Sequence, residues 1–306
     1  MNGGILVIGS VNLDYVMRTP HLPAAGETVL GSDFMTTLGG KGANQAVACA
    51  RLGGTTRFVA CVGDDTPGQD ARAAFEKDGL PLDCIHVIDT AHTGSAMILV
   101  DDNGENCIGI SAGANAALNV ERVTDNREYI SAAEYLLLQL ETPMTAVTRA
   151  AIIARQHLTQ VVLNPAPVSE ALPSELLLHV DVITPNQTEA AALTGLPIDS
   201  RDDLVTAAQA LHAMGPSVVI ITLGADGAMV SDDGIVNWLP APAVNVVDTV
   251  AAGDTFNGAL VVALAEGRAM IDAVAFAIHA AAVSVTRRGA QDAVPTRADV
   301  DLAFAD

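Results

Sequence analysis

Aromatic residues and positive charge are both scarce in this chain. Phe, Trp and Tyr make up 3% of its 306 residues, so Ala, Val, Leu and Ile must build the core. Lys and Arg number 15 against 36 Asp and Glu, a formal net charge of −21. A surface of that sign repels phosphate, which argues against nucleic acid and anionic membranes as partners. No long apolar run is present. The first one, Ile5-Leu6-Val7-Ile8, has no basic flank and is too short for a signal peptide or a membrane span, so it reads as a strand. The four cysteines, Cys49, Cys61, Cys84 and Cys107, form no CxxC pair and no cluster with histidine. Unpaired, mostly buried thiols in a reducing, cytoplasmic compartment are expected. Two nucleotide motifs are also missing. Gly40-Lys41 is followed by Gly42 rather than Ser or Thr, so there is no GxxxxGK[ST] loop, and Gly9 does not open a GxGxxG run.

Half of the residues are apolar, enough for one sizeable domain spanning 1–306. Short apolar segments alternate with helical patterns, which predicts an α/β fold with a doubly wound, mostly parallel sheet and helices on both faces. Strands are expected over 5–8, 57–62, 135–140, 160–163, 182–184 and 218–222, and helices over 43–52, 68–78, 144–156 and 204–214. Two segments break the βαβ rhythm. Residues 14–38 and 93–110, the latter with the turn Asp102-Asn103-Gly104, read as hairpins. They are expected to form a small β-sheet lid over sites at the strand C-termini.

The most informative stretch is Asp248–Gly258, DTVAAGDTFNG. Ala251-Ala252-Gly253 carries almost no side chain, so its backbone N–H groups can approach an anion at the start of the apolar helix that follows. Asp254 sits directly behind. A carboxylate beside a phosphate site is useful only if it handles a proton, so the segment suggests phosphoryl transfer with a built-in base. As an isolated segment it would read equally well as a capped core helix. A second Gly-rich turn, Gly39–Gln45, also leads into a small-residue helix. Polar residues gather at expected strand ends: Asn12 and Asp14, two apart and facing alike, then Glu141, then Asn186 to Glu189, then Thr222 to Gly227. Asn12 and Asp14 suit a polyol.

These segments match a known pattern. GGKGANQAVACARLG at 39–53 and DTVAAGDTFNG at 248–258, with LQLETP, NPAP, ITPNQTE and ITLGADG in order between them, resemble the ribokinase-like (PfkB) carbohydrate kinases nearly end to end. The resemblance implies ATP-dependent phosphorylation of D-ribose at its 5-hydroxyl and a homodimer formed through the β lid. It implies that Asp254 is the base and that Ala252 and Gly253 supply the anion hole. The implied sugar contacts are Asn12, Asp14, Gly40, Lys41, Gly42, Asn44, Glu141 and Asp254, although a lysine in a Gly-rich turn can also be a solvated surface residue. The implied ATP contacts are Asn186, Thr222, Gly224, Gly227, Gly253 and His279. Glu189 would organise Mg2+ through water. K+ would be held, largely by carbonyl oxygens, around Asp248, Val250, Ser284, Arg287, Gly289 and Ala293.

Two positions depart from the family pattern. Where relatives read FA[NH]AAAA this chain reads Phe276-Ala277-Ile278-His279, which leaves the adenine contact open between an apolar one through Ile278 and one through His279. Ala293 stands where a serine is usual, which removes a hydroxyl from the cation loop. Two other functions remain open: a kinase of another small sugar or a nucleoside, and a non-catalytic sugar-binding protein on the same fold. A nucleoside would call for aromatic stacking, and the lid segments offer only Tyr15 and Phe34.

Overall fold

The structure is a computed structural model that describes residues 4–168 and 171–304. Thirteen strands form two sheets. In chain order they are β1 (Ile5–Ile8), β2 (Asn12–Arg18), β3 (Asp33–Gly39), β4 (Thr56–Gly63), β5 (Ile85–Ile88), β6 (Gly94–Val100), β7 (Asn106–Ser111), β8 (Tyr135–Leu138), β9 (Gln160–Leu163), β10 (Val182–Ile183), β11 (Val218–Thr222), β12 (Ala228–Asp232) and β13 (Ile235–Leu239). The large sheet has nine strands in the order β13-β12-β11-β10-β9-β8-β1-β4-β5.

Strands buried on both faces need apolar residues at every position, and β1, β4, β8, β9 and β11 have nearly that. Alternation then sends successive side chains into two separate cores. Ile5 and Val7 pack against the helices Lys41–Arg51, Ala252–Ala265 and Met270–Ser284. Leu6 and Ile8 pack into the opposite layer with the helices Met144–Gln156 and Arg201–Met214. Few aromatics are used. Phe58 and Phe75 meet edge to face at 5.5 Å, and Ala and Val fill most of the rest.

The sheet is mostly parallel, as expected from sequence, and one edge is antiparallel. β12 and β13 run antiparallel, joined through Asp233 (φ 48°) and Gly234 (φ 76°). Two consecutive positive-φ residues, one of them glycine, make the tight turn a hairpin requires. β8 also stops at Leu138, two residues short of the prediction, because Leu140 N–H turns to Ala166 O (3.0 Å).

The small sheet has the order β3-β2-β6-β7. β2 is antiparallel to β3 and parallel to β6, and β6 is antiparallel to β7. Its segments are those read as hairpins, with the Asp102–Gly104 turn between β6 and β7. Period-two alternation puts Asp14, Val16, Met35, Ile98 and Ile110 on one face and Tyr15, Phe34, Met97 and Cys107 on the other. Both faces expose large apolar side chains. Among the described residues no helix is long and apolar enough to cross a membrane.

Candidate active site

Strand order reverses between β1 and β8, and a crevice at the carboxyl ends of the strands is the expected consequence. The segments leaving β1 and β8 deliver Ser10, Asn12, Asp14, Gln139 and Glu141 there. The helices Lys41–Arg51 and Ala252–Ala265 complete it.

The closeness of those two helices depends on Gly258. A Cβ at that position would lie 2.5 Å from Ala48 Cβ and 3.0 Å from Gln45 O. One turn earlier on the same helix face, Asp254 is thereby brought against Asn44 and Gln45. It is 6% exposed. Asn44 Nδ2 donates to Asp254 Oδ2 (2.9 Å) and Gln45 Nε2 donates to Asp254 Oδ1 (2.9 Å). Ala251, just before the helix, adopts a left-handed conformation (φ 59°) that costs a non-glycine residue strain. This reversal leads the Gly253 and Asp254 amides into the first turn, ahead of the first helical bond, Thr255 N–H to Ala251 O (2.8 Å), while Ala252 N–H makes a longer contact back to Thr249 O (3.3 Å). Ala251 through Asp254 line a cleft of about 220 Å³ with Lys41, Asn164, Thr184, Asn186, Glu189, Thr222 and Asn257.

On the other side of Asp254 the sequence-predicted sugar residues converge. Glu141 Oε2 accepts from Ser10 Oγ (2.6 Å) and Lys41 N–H (2.9 Å). Ser10 Oγ in turn accepts from Gly42 N–H (3.2 Å). Gly40 is left-handed (φ 88°), and a Cβ there would press on Asn12 N at 2.8 Å, so glycine is required on both counts. Asn12 Oδ1 is taken by Asn115 Nδ2 (2.8 Å), and Asn115 also clasps Val11 through both N–H and C=O. Asn44 Oδ1 is buried without a protein partner, an acceptor left for a ligand.

Charge is unevenly balanced in this crevice. Burial, then Glu141 and Asp254, push the Asp14 carboxyl up to about 7, with Lys41 opposing. Burial works against the Lys41 ammonium, but Asp254, Glu141, Glu189 and Asp14 outweigh it and hold the group above its ordinary range. Lys41 is therefore no solvated surface lysine; it lines the cleft as the cation among four carboxylates.

Toward the far end of the cleft, Asn186 caps the helix Gln187–Thr194. Its Oδ1 accepts from Glu189 N–H (2.8 Å), while Glu189 Oε2 accepts from Asn186 N–H (2.8 Å), a reciprocal capping box. Burial raises the Glu189 carboxyl, with the Asn186 N–H and Lys41 opposing. Gly224 (φ 58°) and Gly227 (φ 95°) bracket the turn after β11. His279 lies on the helix Met270–Ser284. Its ring stacks on Phe304 at 4.1 Å between centroids, whereas Ile278, its neighbour, is buried.

The cation-loop residues do come together. Asp248 Oδ1 accepts from Val250 N–H (3.0 Å) and Oδ2 from Gly289 N–H (3.0 Å). Val247 N–H donates to Val285 O (2.8 Å). Arg287 turns outward to Asp299 (3.2 Å), so only its backbone could serve a cation, and Ala293 offers no side-chain oxygen. Among the described residues no cluster of three or more His, Cys, Asp or Glu could hold a metal.

Sequence reading did not single out Gln45, Asn164, Thr184 or Asn257 as site residues. Each lay inside a quoted motif, but an amide or hydroxyl has no signature until its partner is known. Asn164 Nδ2 donates to Thr184 O (3.2 Å), Thr184 Oγ1 to Asn257 Oδ1 (2.6 Å), and Asn257 Nδ2 to Gly253 O (2.8 Å).

Comparison with known proteins gives a consistent result. The family model described as pfkB family carbohydrate kinase matches residues 3–297. The chain is 43% identical over 297 residues to the ribokinase of Haemophilus influenzae, covering 97% of each chain. It is 35% identical to the deoxyribokinase of Salmonella typhi, covering 95% of each. The structure of Arabidopsis thaliana ribokinase complexed with ribose and ATP superposes with a TM-score of 0.92 at 33% identity, covering 98% of each chain.

Proposed function

The chain belongs to the pfkB family of carbohydrate kinases, and on that premise we propose that it transfers the γ-phosphoryl group of ATP to the 5-hydroxyl of D-ribose, giving ribose 5-phosphate and ADP. The observation that carries this reading is a buried carboxylate, Asp254, in the first turn of a helix whose leading residues, Ala252 and Gly253, line the same cleft.

Both Asp254 oxygens receive amide hydrogen bonds, which fix the orientation of the carboxyl group toward the cleft. Asp254 removes the proton from the attacking hydroxyl. The Ala252 and Gly253 amides stabilise charge on the transferring phosphoryl, and Lys41 neutralises charge between the two substrates. Rate enhancement comes from positioning and electrostatics, with no covalent enzyme intermediate. Asp14, Glu141 and Asn12 accept from and donate to the sugar hydroxyls, with Asn44 bridging sugar and base. Gly40 and Gly42 let the backbone approach the sugar. Asn186, Thr222, Gly224 and Gly227 hold the nucleotide.

Glu189, a carboxylate that lines the same cleft as the Ala251–Asp254 turn, fits a water-mediated Mg2+ role, and the ion would screen phosphate charge there. The backbone carbonyls around Asp248 and Gly289 fit K+, with Val250, Ser284 and Ala293 contributing main-chain oxygens. The apolar sheet face carrying Phe34 and Met97, each 59% exposed, supports a homodimer through the small sheet. The opposite face carries Asp14 and supports a lid over the sugar. The four free thiols are consistent with a cytoplasmic setting.

The test is ADP formation with MgATP and K+ against ribose, 2-deoxyribose, fructose, adenosine and no acceptor. Turnover on ribose well above the rest is expected. Preference for 2-deoxyribose would shift the acceptor toward that of the Salmonella typhi relative, and silence across the panel would sink the kinase reading.

A further inference from the structure

The buried polar chain behind Asp254 has a direction. A carboxylate only accepts hydrogen bonds, so the group facing Asp254 Oδ1 must be a donor. Gln45, fully buried, therefore turns its Nε2 toward Asp254 Oδ1 (2.9 Å) and Asn164 Oδ1 (3.1 Å). Its Oε1 must then face away, and it accepts from Gln139 Nε2 (2.6 Å). That fixes Gln139 as well and leaves Gln139 Oε1 buried with no partner. An orphaned interior acceptor is costly. Flipping both amides would keep the bond between them with its direction reversed, but it would place Gln45 Oε1 against Asp254 Oδ1 and Asn164 Oδ1 and so lose both of those hydrogen bonds. The orphan is the consequence of serving the charge on Asp254.

We propose that Gln45 is a positioning residue for phosphoryl transfer: the middle link of a one-way amide chain from Gln139 that orients the Asp254 carboxylate and, through Asn164, ties it to the anion-hole helix. The second arm runs from Asn164 to Thr184 and Asn257 and ends on Gly253 O. Base and anion hole are thus held in one frame. No member of the chain is ionisable, so a proton taken by Asp254 cannot leave through the protein interior and must return by the cleft. Gln45 thereby directs the base toward substrate. The charged groups facing Asp254 from other elements are Lys41, Asp14 and Glu189, and none of them touches Gln45 through a hydrogen bond.

This inference rests on Asp254 being the base, so the experiment includes Asp254→Asn as its own control. Gln45→Glu keeps the size and places a second carboxyl against Asp254. Two such groups share one proton, which raises the pH at which the pair becomes fully ionised. The expected result is kcat about 10- to 100-fold lower at pH 7, an acid limb of the kcat–pH profile displaced upward by about one unit or more, and KM for ribose and ATP within about threefold of wild type. Gln139→Met removes the donor that fixes Gln45 and should lower kcat by about 3- to 10-fold with KM unchanged. It supplies the test should Gln45→Glu not fold. An unmoved pH profile in folded Gln45→Glu, or unchanged kcat in Gln139→Met, overturns the proposal. Turnover retained in Asp254→Asn would instead remove the base assignment on which it stands.

Discussion

Asp14 is the residue whose environment is most out of balance with its chemistry. Its carboxyl, pushed by burial up to about 7 in the folded chain against 3.8 for an unperturbed aspartate, holds a proton that the unfolded chain has already released between those values. The folded state therefore loses stability as pH rises from about 4 to 7, by at most roughly 4 kcal/mol, and the loss is complete above pH 8. Asp14→Asn should melt at higher temperature than wild type at pH 8, with the gap closing toward pH 4 and below. It should also bind ribose poorly. Thermal melts across pH and a ribose titration check both. Asp254→Asn should behave differently: kcat lower by about 10²- to 10⁴-fold with ribose binding retained, read by single-turnover kinetics beside calorimetry.

The helix Ala252–Ala265 works through two glycines with opposite requirements. A Cβ at Gly253 meets nothing within 4 Å, whereas one at Gly258 runs into Ala48. Gly253→Ala should therefore leave stability unchanged or raise it by about 0.5–1 kcal/mol, since alanine is the better helix former. Its methyl would stand in the cleft where the phosphoryl approaches, so kcat should fall. Gly258→Val should do the reverse in order of cause. Forcing the helices apart should cost about 1–3 kcal/mol and loosen Asp254 from Asn44 and Gln45. Denaturant melts set beside kcat separate the two cases: Gly253→Ala uncouples activity from stability, and Gly258→Val loses both.

At the scale of the whole molecule, the large sheet carries the cleft at its strand ends and the small sheet exposes apolar side chains on both faces. The small sheet's strands leave the large one beside the sugar residues, at Asn12 and Gly39, so any motion of it bears on the site. Its Phe34–Met97 face points away from Asp14. Replacing both residues with glutamate should convert a dimer to a monomer in sedimentation equilibrium while leaving the chain folded, because neither residue belongs to either core. A dimer that survives this change would place the interface elsewhere.

Much of this was legible in the sequence because its signals are local. Unbroken apolar runs such as Val218–Thr222 mark strands buried on two faces, small-residue turns ahead of an apolar helix mark an anion site, and strand-end carboxylates mark a polyol. Asp254 could be picked out because its turn did not stand alone: by itself the segment reads equally well as a capped core helix, and the second Gly-rich turn at 39–45 and the polar strand ends tipped the balance. Local signals also fell short. The strands Ala228–Asp232 and Ile235–Leu239 were not among those expected, because they are short and carry polar residues at Ser231, Asp232 and Asn237, and neighbours on one helix such as Ile278 and His279 project about 100° apart, so a motif alone does not say which faces a ligand. What only the tertiary structure decided are the relations across distance. Gly258 permits a helix crossing that carries Asp254 to residues more than 200 positions away, and that contact gives Gln45 and Gln139 their orientation. An amide takes its role from the partner it meets, and a sequence records the amide without the meeting.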